Sequence, residues 1–343
     1  MNAPDTGLAQ ARDVAHRLAG AGAQVRHVVA GGRNSRIFHV RQGGREFCLK
    51  QYSSRRDDPR DRLSTEVGAL RLMAENGVAA VPRVVGVDRD RNYALLTWID
   101  GAEVTSVPDA DIDAAVAFLA AVHALRTARD AAQQPLAAEA CLSGREIERQ
   151  IRERLDRLGG VCGDEPALAA FLQRDFAPKL SRTLANARTA TAAGVAGLDF
   201  AQDLPRDWRS LVPSDFGFHN NLRMGDGSLA FLDFEYFGWD DPVKLTADIL
   251  LHPGRPLSAP HRRRFRQAAI RTYGEGQRFE GRLRAYLPLF GLRWVLILLN
   301  EFIPERWRRR QLAGAGESWS EAKARQLGLA KSFLASLDQK VED

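Results

Sequence analysis

The sequence predicts an α+β protein of two lobes: a small N-terminal lobe around an antiparallel sheet and a larger, mainly helical C-terminal lobe. Three observations predict it. Short β-like runs separated by Gly-rich turns fill residues 24–99, and long amphipathic stretches take over from Pro108. That helical half is interrupted once, between about 205 and 241, by turn-rich text and one apolar run. The lobes are expected at 1–99 and 100–343.

A first helix is expected at about 6–20. The runs QVRHVVA (24–30), RIFHV (36–40) and EFCLKQY (46–52) read as strands, separated by Gly31-Gly32-Arg33-Asn34-Ser35 and by Gln42-Gly43-Gly44. Leu63, Val67, Leu70 and the Leu72/Met73 pair recur at helical spacing over about 60–76, with Glu75-Asn76-Gly77 as a stop. RVVGVD (83–88) and YALLTWI (93–99) complete a five-stranded sheet with one inserted helix, and Ile99-Asp100-Gly101 joins the lobes. Helices follow in DIDAAVAFLAAVHAL, SGREIERQIRERL and PALAAFLQRDFAPKLSRTLANA. Ser143 with Glu146 suggests a capping box. The Ala-rich stretch 189–197 is expected as a loop.

The chain has 343 residues, 45% hydrophobic and 27% charged, which suits a globular protein with a sizeable core rather than a disordered one. Cys48, Cys141 and Cys162 form no ligand spacing, so neither a disulfide framework nor a zinc site is expected, and a reducing cytoplasmic location fits. Asp5, Arg12, Asp13 and Arg17 break up the first twenty residues, against a signal peptide. The apolar segment YLPLFGLRWVLILLNEF (286–302) is interrupted by Arg293 and is expected as a buried helix, with no membrane span. The formal charge of +6 gathers partly in HRRRFR (261–266) and ERWRRR (305–310). These are expected as solvated helix faces, and nucleic acid is not an expected partner.

Phosphoryl transfer needs backbone donors for phosphates, a lysine for their charge, ligands for magnesium and a carboxylate to orient the attacking hydroxyl. The hairpin turn offers Gly31, Gly32, Asn34 and Ser35 as a phosphate loop, although a Gly-Gly turn is also ordinary hairpin chemistry. No GxxxxGK[ST] sequence occurs. Lys50 closes the strand FCLK and Glu66 lies sixteen positions on in the helix. They suit a phosphate-binding pair or, more blandly, a snorkelling edge lysine and a solvated glutamate. Asp215 and Asn220 are spaced D-x-x-x-x-N, and Asp233 leaves the strand-like LAFL eighteen residues after Asp215. Each is a weak signal alone. Their order along the chain is the one a kinase requires. Glu235, Asp240 and Asp241-Pro242 add an acidic cluster suited to metal support, a cationic substrate or turn chemistry.

These residues resemble the aminoglycoside phosphotransferase and choline kinase-like superfamily, small-molecule kinases with a protein-kinase-like fold. The likeness runs from about Gln24 to His252. The superfamily pattern H-G-D-x-H-x-x-N, then a strand and [ILV]-D-[WFY]-E-x-x-x-x-[GD]-D-P, corresponds here to Pro213-Ser214-Asp215-Phe-Gly-Phe-His-Asn220 and to Leu232-Asp233-Phe234-Glu235 through Asp240-Asp241-Pro242. AVHAL (121–125), GVAAVPRVVG (77–86) and LLTWIDG (95–101) are also similar.

The resemblance implies an ATP- or GTP-dependent kinase of a small hydroxylated molecule. Asp215 would be catalytic, Asn220 and Asp233 the magnesium ligands, and Lys50 the phosphate lysine with Glu66 as partner. Backbone groups at Thr97, Trp98 and Ile99 would receive the base. The tempting DFG at 215–217 is therefore not the metal-binding triplet, which reads DFE at 233–235. Pro213 and Ser214 depart from the pattern's His-Gly, and a histidine stands at 219. For the acceptor, an amino sugar, aminoglycoside, amino alcohol or saccharide, the candidates are Glu235, Trp239, Asp240, Asp241, Trp294 and Glu301, with Tyr236 as a further aromatic. A protein kinase proper is disfavoured, because no APE signature occurs and Asp241-Pro242 follows Asp233 too closely. The alternative is a degenerate kinase-like protein that binds a nucleotide, nucleic acid or an anionic surface.

Overall fold

The computed structural model describes residues 6–28, 35–53, 60–274, 278–312 and 317–342. They fall into two compact units, Met1–Ala138 with Leu211–Trp239 and Glu139–Ser210 with Asp240–Asp343. Residues 100–138 and 211–239, expected with the helical lobe, thus group by packing with the N-terminal sheet. The boundary by packing is not the sequence boundary at residue 100.

The first unit opens with α1 (Thr6–Ala19), followed by β1 (Gln24–Val28), β2 (Ser35–Gln42) and β3 (Arg45–Tyr52). The β2–β3 turn is Gly43-Gly44, with φ +55° and +74°, the pair of left-handed residues that a two-residue hairpin turn demands. Next come α2 (Arg62–Glu75), β4 (Val84–Asp88) and β5 (Tyr93–Thr97). The sheet is antiparallel with order β1-β2-β3-β5-β4. The last hairpin therefore enters with β5 against β3.

Strand alternation then sorts side chains by face. Phe47 and Leu49 of β3 join Phe38, Val40, Tyr93 and Leu95 in a core closed by Ala11, Val14 and Ala15 of α1. Cys48, Lys50 and Tyr52 point to the opposite face, where Lys50 and Tyr52 meet Glu66 of α2. Asp61 caps α2 by accepting the Ser64 N–H at 3.0 Å, which sets the helix phase that buries Glu66 with Leu63, Val67, Leu70 and Met73.

The unit continues through β6 (Gly101–Glu103), α3 (Asp109–Ala124), β7 (Ser210–Val212), β8 (Asn221–Met224) and β9 (Leu229–Phe231). Strands β6, β8 and β9 make a small antiparallel sheet, and β7 pairs with β10 (Gly238–Asp240). Phe118 of α3, Phe231 of β9 and Phe216 stack, with centroids 4.0 to 5.8 Å apart, and Phe234 tilts against Phe118. This aromatic column anchors the loop between β7 and β8.

The second unit is helical: α4 (Gly144–Gly159), α5 (Pro166–Phe171), a π-helical turn Leu172–Phe176, α6 (Ala177–Ala192), α7 (Pro242–Leu251), α8 (Ala259–Tyr273), α9 (Arg278–Leu298), α10 (Pro304–Leu312), α11 (Trp319–Ala335) and α12 (Leu337–Glu342). Helix α9 is apolar on several sides and packs against α4, α6, α7 and α11. The stretch Arg278–Phe302 is long and apolar enough to cross a membrane by composition, yet 67% of its apolar window is buried against the protein itself, as a central core helix requires.

Two local expectations are corrected. Residues 189–192 belong to α6, because alanine favours helix, and Gly194 at φ +78° follows its end. At Ser143 only half a capping box forms. Its Oγ accepts the Glu146 N–H at 3.3 Å, while the Glu146 carboxylate is taken by Arg149 and Gln150. A reciprocal box occurs instead at Ser318 and Glu321 of α11.

Candidate active site

Lys50 Nζ donates to Glu66 Oε2 at 2.6 Å and to Asp233 Oδ1 at 2.7 Å, and lies 3.5 Å from Glu235 Oε2. Tyr52, two residues along the same face of β3, donates its hydroxyl to Glu66 Oε2 at 2.8 Å, and the Phe234 N–H donates to Glu66 Oε1 at 3.2 Å. Glu66 thus ties β3 to the segment after β9.

Burial opposes the charge of Lys50, but Glu66, Asp233 and Glu235 outweigh it and raise the lysine well above its usual pKa. Glu66 is pushed up by burial, against the pull of Lys50, with Asp233 adding to the rise. Arg62, one turn before Glu66 on α2, pairs with Glu235, which also accepts the Ser35 hydroxyl at 2.9 Å.

Carboxylate oxygens of Glu66, Asp233 and Glu235 lie within 4.8 Å of one another. Among the described residues, three carboxylates face two cations, Lys50 and Arg62, an oxygen-rich set of the kind a hard divalent cation takes. Of the three, Asp233 is the open one, with 36% of its side chain exposed against 3% and 1% for Glu66 and Glu235. Asp233 also sits at φ +67°, a left-handed backbone that costs a non-glycine residue roughly 1–2 kcal/mol.

Asp215 and Asn220 lie on the loop between β7 and β8. The Asn220 amide donates to the Asp215 carbonyl at 2.9 Å, and the Asn220 carbonyl accepts the Leu232 N–H at 2.9 Å. Asn220 is thereby a neighbour of the residue preceding Asp233. The Asp215 side chain is 47% exposed, and His219 Nε2 lies 3.4 Å from its Oδ1. Ser214 takes φ +69°, which explains why the superfamily pattern has glycine there. Its hydroxyl donates to the Ala138 carbonyl at 3.3 Å.

The sequence profile of the phosphotransferase enzyme family matches residues 26–286. The chain belongs to this family. Among solved structures it is similar to the choline kinase LicA from Streptococcus pneumoniae, with 14% identity, a TM-score of 0.58, and coverage of 97% of this chain and 100% of that one. It is similar to a thermostable mutant of aminoglycoside phosphotransferase APH(4)-Ia in ternary complex with AMP-PNP and hygromycin B (17%, 0.51, 95% and 98%). It also resembles a Plasmodium vivax ethanolamine kinase (12%, 0.55, 89% and 82%). A search of curated proteins gives no match. At these identities the likeness carries the kinase-like fold alone.

Within this family member, the structure brings Ser35, Lys50, Glu66, Asp233 and Glu235 together, with Asp215 and Asn220 on the adjoining loop. Gly31, Gly32 and Asn34 lie outside the described residues. The Thr97 N–H is spent on the Arg83 carbonyl at 2.9 Å and the Trp98 N–H reaches Glu46 O at 3.4 Å, so neither is offered to a base in this structure. Ile99 lies two residues beyond the end of β5.

The structure places most of the acceptor candidates in the interior. Glu235 is buried under Arg62 and Ser35. Trp239 is buried and donates its indole N–H to the Ala131 carbonyl. Asp240 is fully buried, accepting the N–H groups of Cys141 and Asp241. Asp241 is clamped by two N–H groups of Arg282 and caps α7 through the Val243 N–H. Glu301 is buried, and Trp294 is half-buried edge-on to His252. Tyr236 lies under the guanidinium groups of Arg60 and Arg62.

Sequence reasoning missed Arg62 and Tyr52. Both were signalled by spacing, Arg62 four residues before Glu66 on a helix and Tyr52 two after Lys50 on a strand. It missed Glu139 too, whose carboxylate is gripped by Arg154 and Arg293 and held down to about 2. Glu139 has φ +54°, which spacing does not reveal.

Proposed function

We propose that this protein transfers the γ-phosphoryl group of ATP, or of GTP, to a hydroxyl of a small molecule such as an amino sugar, aminoglycoside, amino alcohol or saccharide. The observation that carries the reading is the Lys50–Glu66–Asp233 chain of ion pairs beside the Asp215–Asn220 loop, in a member of the phosphotransferase family. A related fold holds AMP-PNP with hygromycin B, which supports a nucleotide and a hydroxylated acceptor as the two substrates.

Each residue then has a task. Lys50, kept charged and aimed by Glu66, neutralises phosphate oxygens once nucleotide displaces its contact with Asp233. The turn Gly31, Gly32, Asn34 and Ser35 covers the phosphates, and backbone groups between Thr97 and Ile99 border the base. Asp233, the most open of the three carboxylates, is the fitting ligand for Mg2+ together with Asn220. When bound, the metal neutralises charge between the phosphates. Asp215 accepts a hydrogen bond from the acceptor hydroxyl, orients it in line with the γ-phosphorus and takes its proton as the new bond forms. The bond from phosphorus to the departing ADP oxygen breaks in the same step.

The test is an ADP-release screen over amino sugars, aminoglycosides, amino alcohols, nucleosides and simple sugars, with Asp215→Ala as the blank. An acceptor-dependent rate that vanishes in Asp215→Ala is the expected result. Wild-type turnover in that variant would end the assignment, and nucleotide binding without transfer to any acceptor would favour the degenerate reading.

A further inference from the structure

His219 has no part in the roles assigned so far. It stands on the 3-10 turn Phe218–Asn220, with Nε2 3.4 Å from Asp215 Oδ1. Gly217 admits its ring. A Cβ at position 217 would stand 2.8 Å from His219 Nδ1 and 2.9 Å from Cε1, inside van der Waals contact. Gly217 has φ 174°, extended backbone that any residue adopts, so the need for glycine here is one of space and not of conformation.

The superfamily pattern places a histidine at the position of Gly217. In this chain that position is emptied and the imidazole comes from 219, folded back over the vacancy. The flanking Phe216 and Phe218 are buried, so the loop backbone is fixed and the direction of the ring is set by it. Asp215 has a half-exposed side chain, and the His219 imidazole stands directly beside its carboxylate, where a ring N–H constrains the carboxylate's orientation.

We propose that His219 is a positioning residue for Asp215, its Nε2–H holding Oδ1 so that Oδ2 meets the acceptor hydroxyl. This rests on the phosphotransfer reading above and leaves its bond changes as written. Contacts of this kind are often long without substrate and shorten in the reacting complex.

The experiment is steady-state kinetics on wild type, Asp215→Ala, His219→Ala, His219→Gln, Gly217→Ala and the Gly217→Ala/His219→Ala double variant, with folding of each followed by thermal melting. His219→Ala is expected to lower kcat by roughly 10- to 100-fold, the scale of a misplaced reacting group, with nucleotide KM within about twofold. His219→Gln, whose amide reaches a similar point, restores most of the loss. Gly217→Ala lowers kcat by displacing the ring, and the same substitution does nothing further once His219 is alanine.

Unchanged kcat in His219→Ala, with wild type far above Asp215→Ala, overturns the role of His219 alone. A Gly217→Ala effect that persists in the double variant also overturns it. Wild type no faster than Asp215→Ala brings down the phosphotransfer reading and this role with it. Should His219→Ala fail to fold, Gly217→Ala and His219→Gln still decide, because a loss in the first without a loss in the second is the expected pattern and its absence is contrary.

Discussion

At the scale of the residue, the proposed function gives two carboxylates, Asp215 and Asp233, separable tasks. Asp215→Ala is expected to lower turnover roughly 10²- to 10⁴-fold, the range of a lost general base, while nucleotide affinity stays within a few fold by calorimetry. Asp233→Ala is expected to abolish the magnesium dependence of nucleotide binding, read in the same titration. Lys50 carries a different prediction. Lys50→Met leaves Glu66 buried with, among the described residues, the Tyr52 hydroxyl and Phe234 N–H as its donors, a loss of about 3–5 kcal/mol by urea unfolding. Adding Glu66→Gln should recover part of that loss, since the stranded charge is gone. That Lys50, Glu66 and Asp233 would meet was legible because their order along the chain is informative even where each spacing is cheap. What the order could not reveal is that Glu235 turns inward. That fate is set by Arg62 and Ser35, partners 173 and 200 residues away in sequence.

At the scale of the element, the five strands and α2 were readable because Gly-Gly turns and strand alternation are local signals. The placement of β5 between β3 and β4 is a pairing choice among long-range partners, and no local pattern states it. The phenylalanine column of Phe118, Phe231 and Phe216 was equally invisible, because its members come from α3, β9 and a loop. That column predicts that Phe216→Ala costs about 3–5 kcal/mol in denaturant unfolding and lowers kcat more than it weakens nucleotide binding. A variant that loses stability but keeps full kcat would show that the loop is held by other contacts. Of the readings open for the acidic cluster near 240, turn and cap chemistry accounts for the contacts seen, since Asp240 and Asp241 accept from backbone donors and Asp241 pairs with Arg282.

For the whole molecule, the buried Asp240 makes stability depend on pH. Burial lifts its carboxyl from 3.8 to about 7, against the pull of Lys244 at 3.8 Å. The folded state therefore holds a proton that the unfolded chain has already lost between about pH 4 and about 7, so this group's contribution falls as pH rises through that window. Asp240→Asn keeps the acceptor for the Cys141 and Asp241 N–H groups and removes the charge. It is expected to raise Tm at pH 8 and to leave it little changed at pH 4. An equal shift at both values would mean that Asp240 is not the group responsible. The division of the chain bears on how the protein is made. The unit holding Lys50 and Glu66 borrows Leu211–Trp239, so its sheet emerges from the ribosome long before its own last segment does. Until that segment is synthesised, Lys50, Glu66 and Arg62 await Asp233 and Glu235 as an incomplete set of charges. The nascent sheet must stay competent to receive them while the 72 residues of Glu139–Ser210 pass through the exit tunnel.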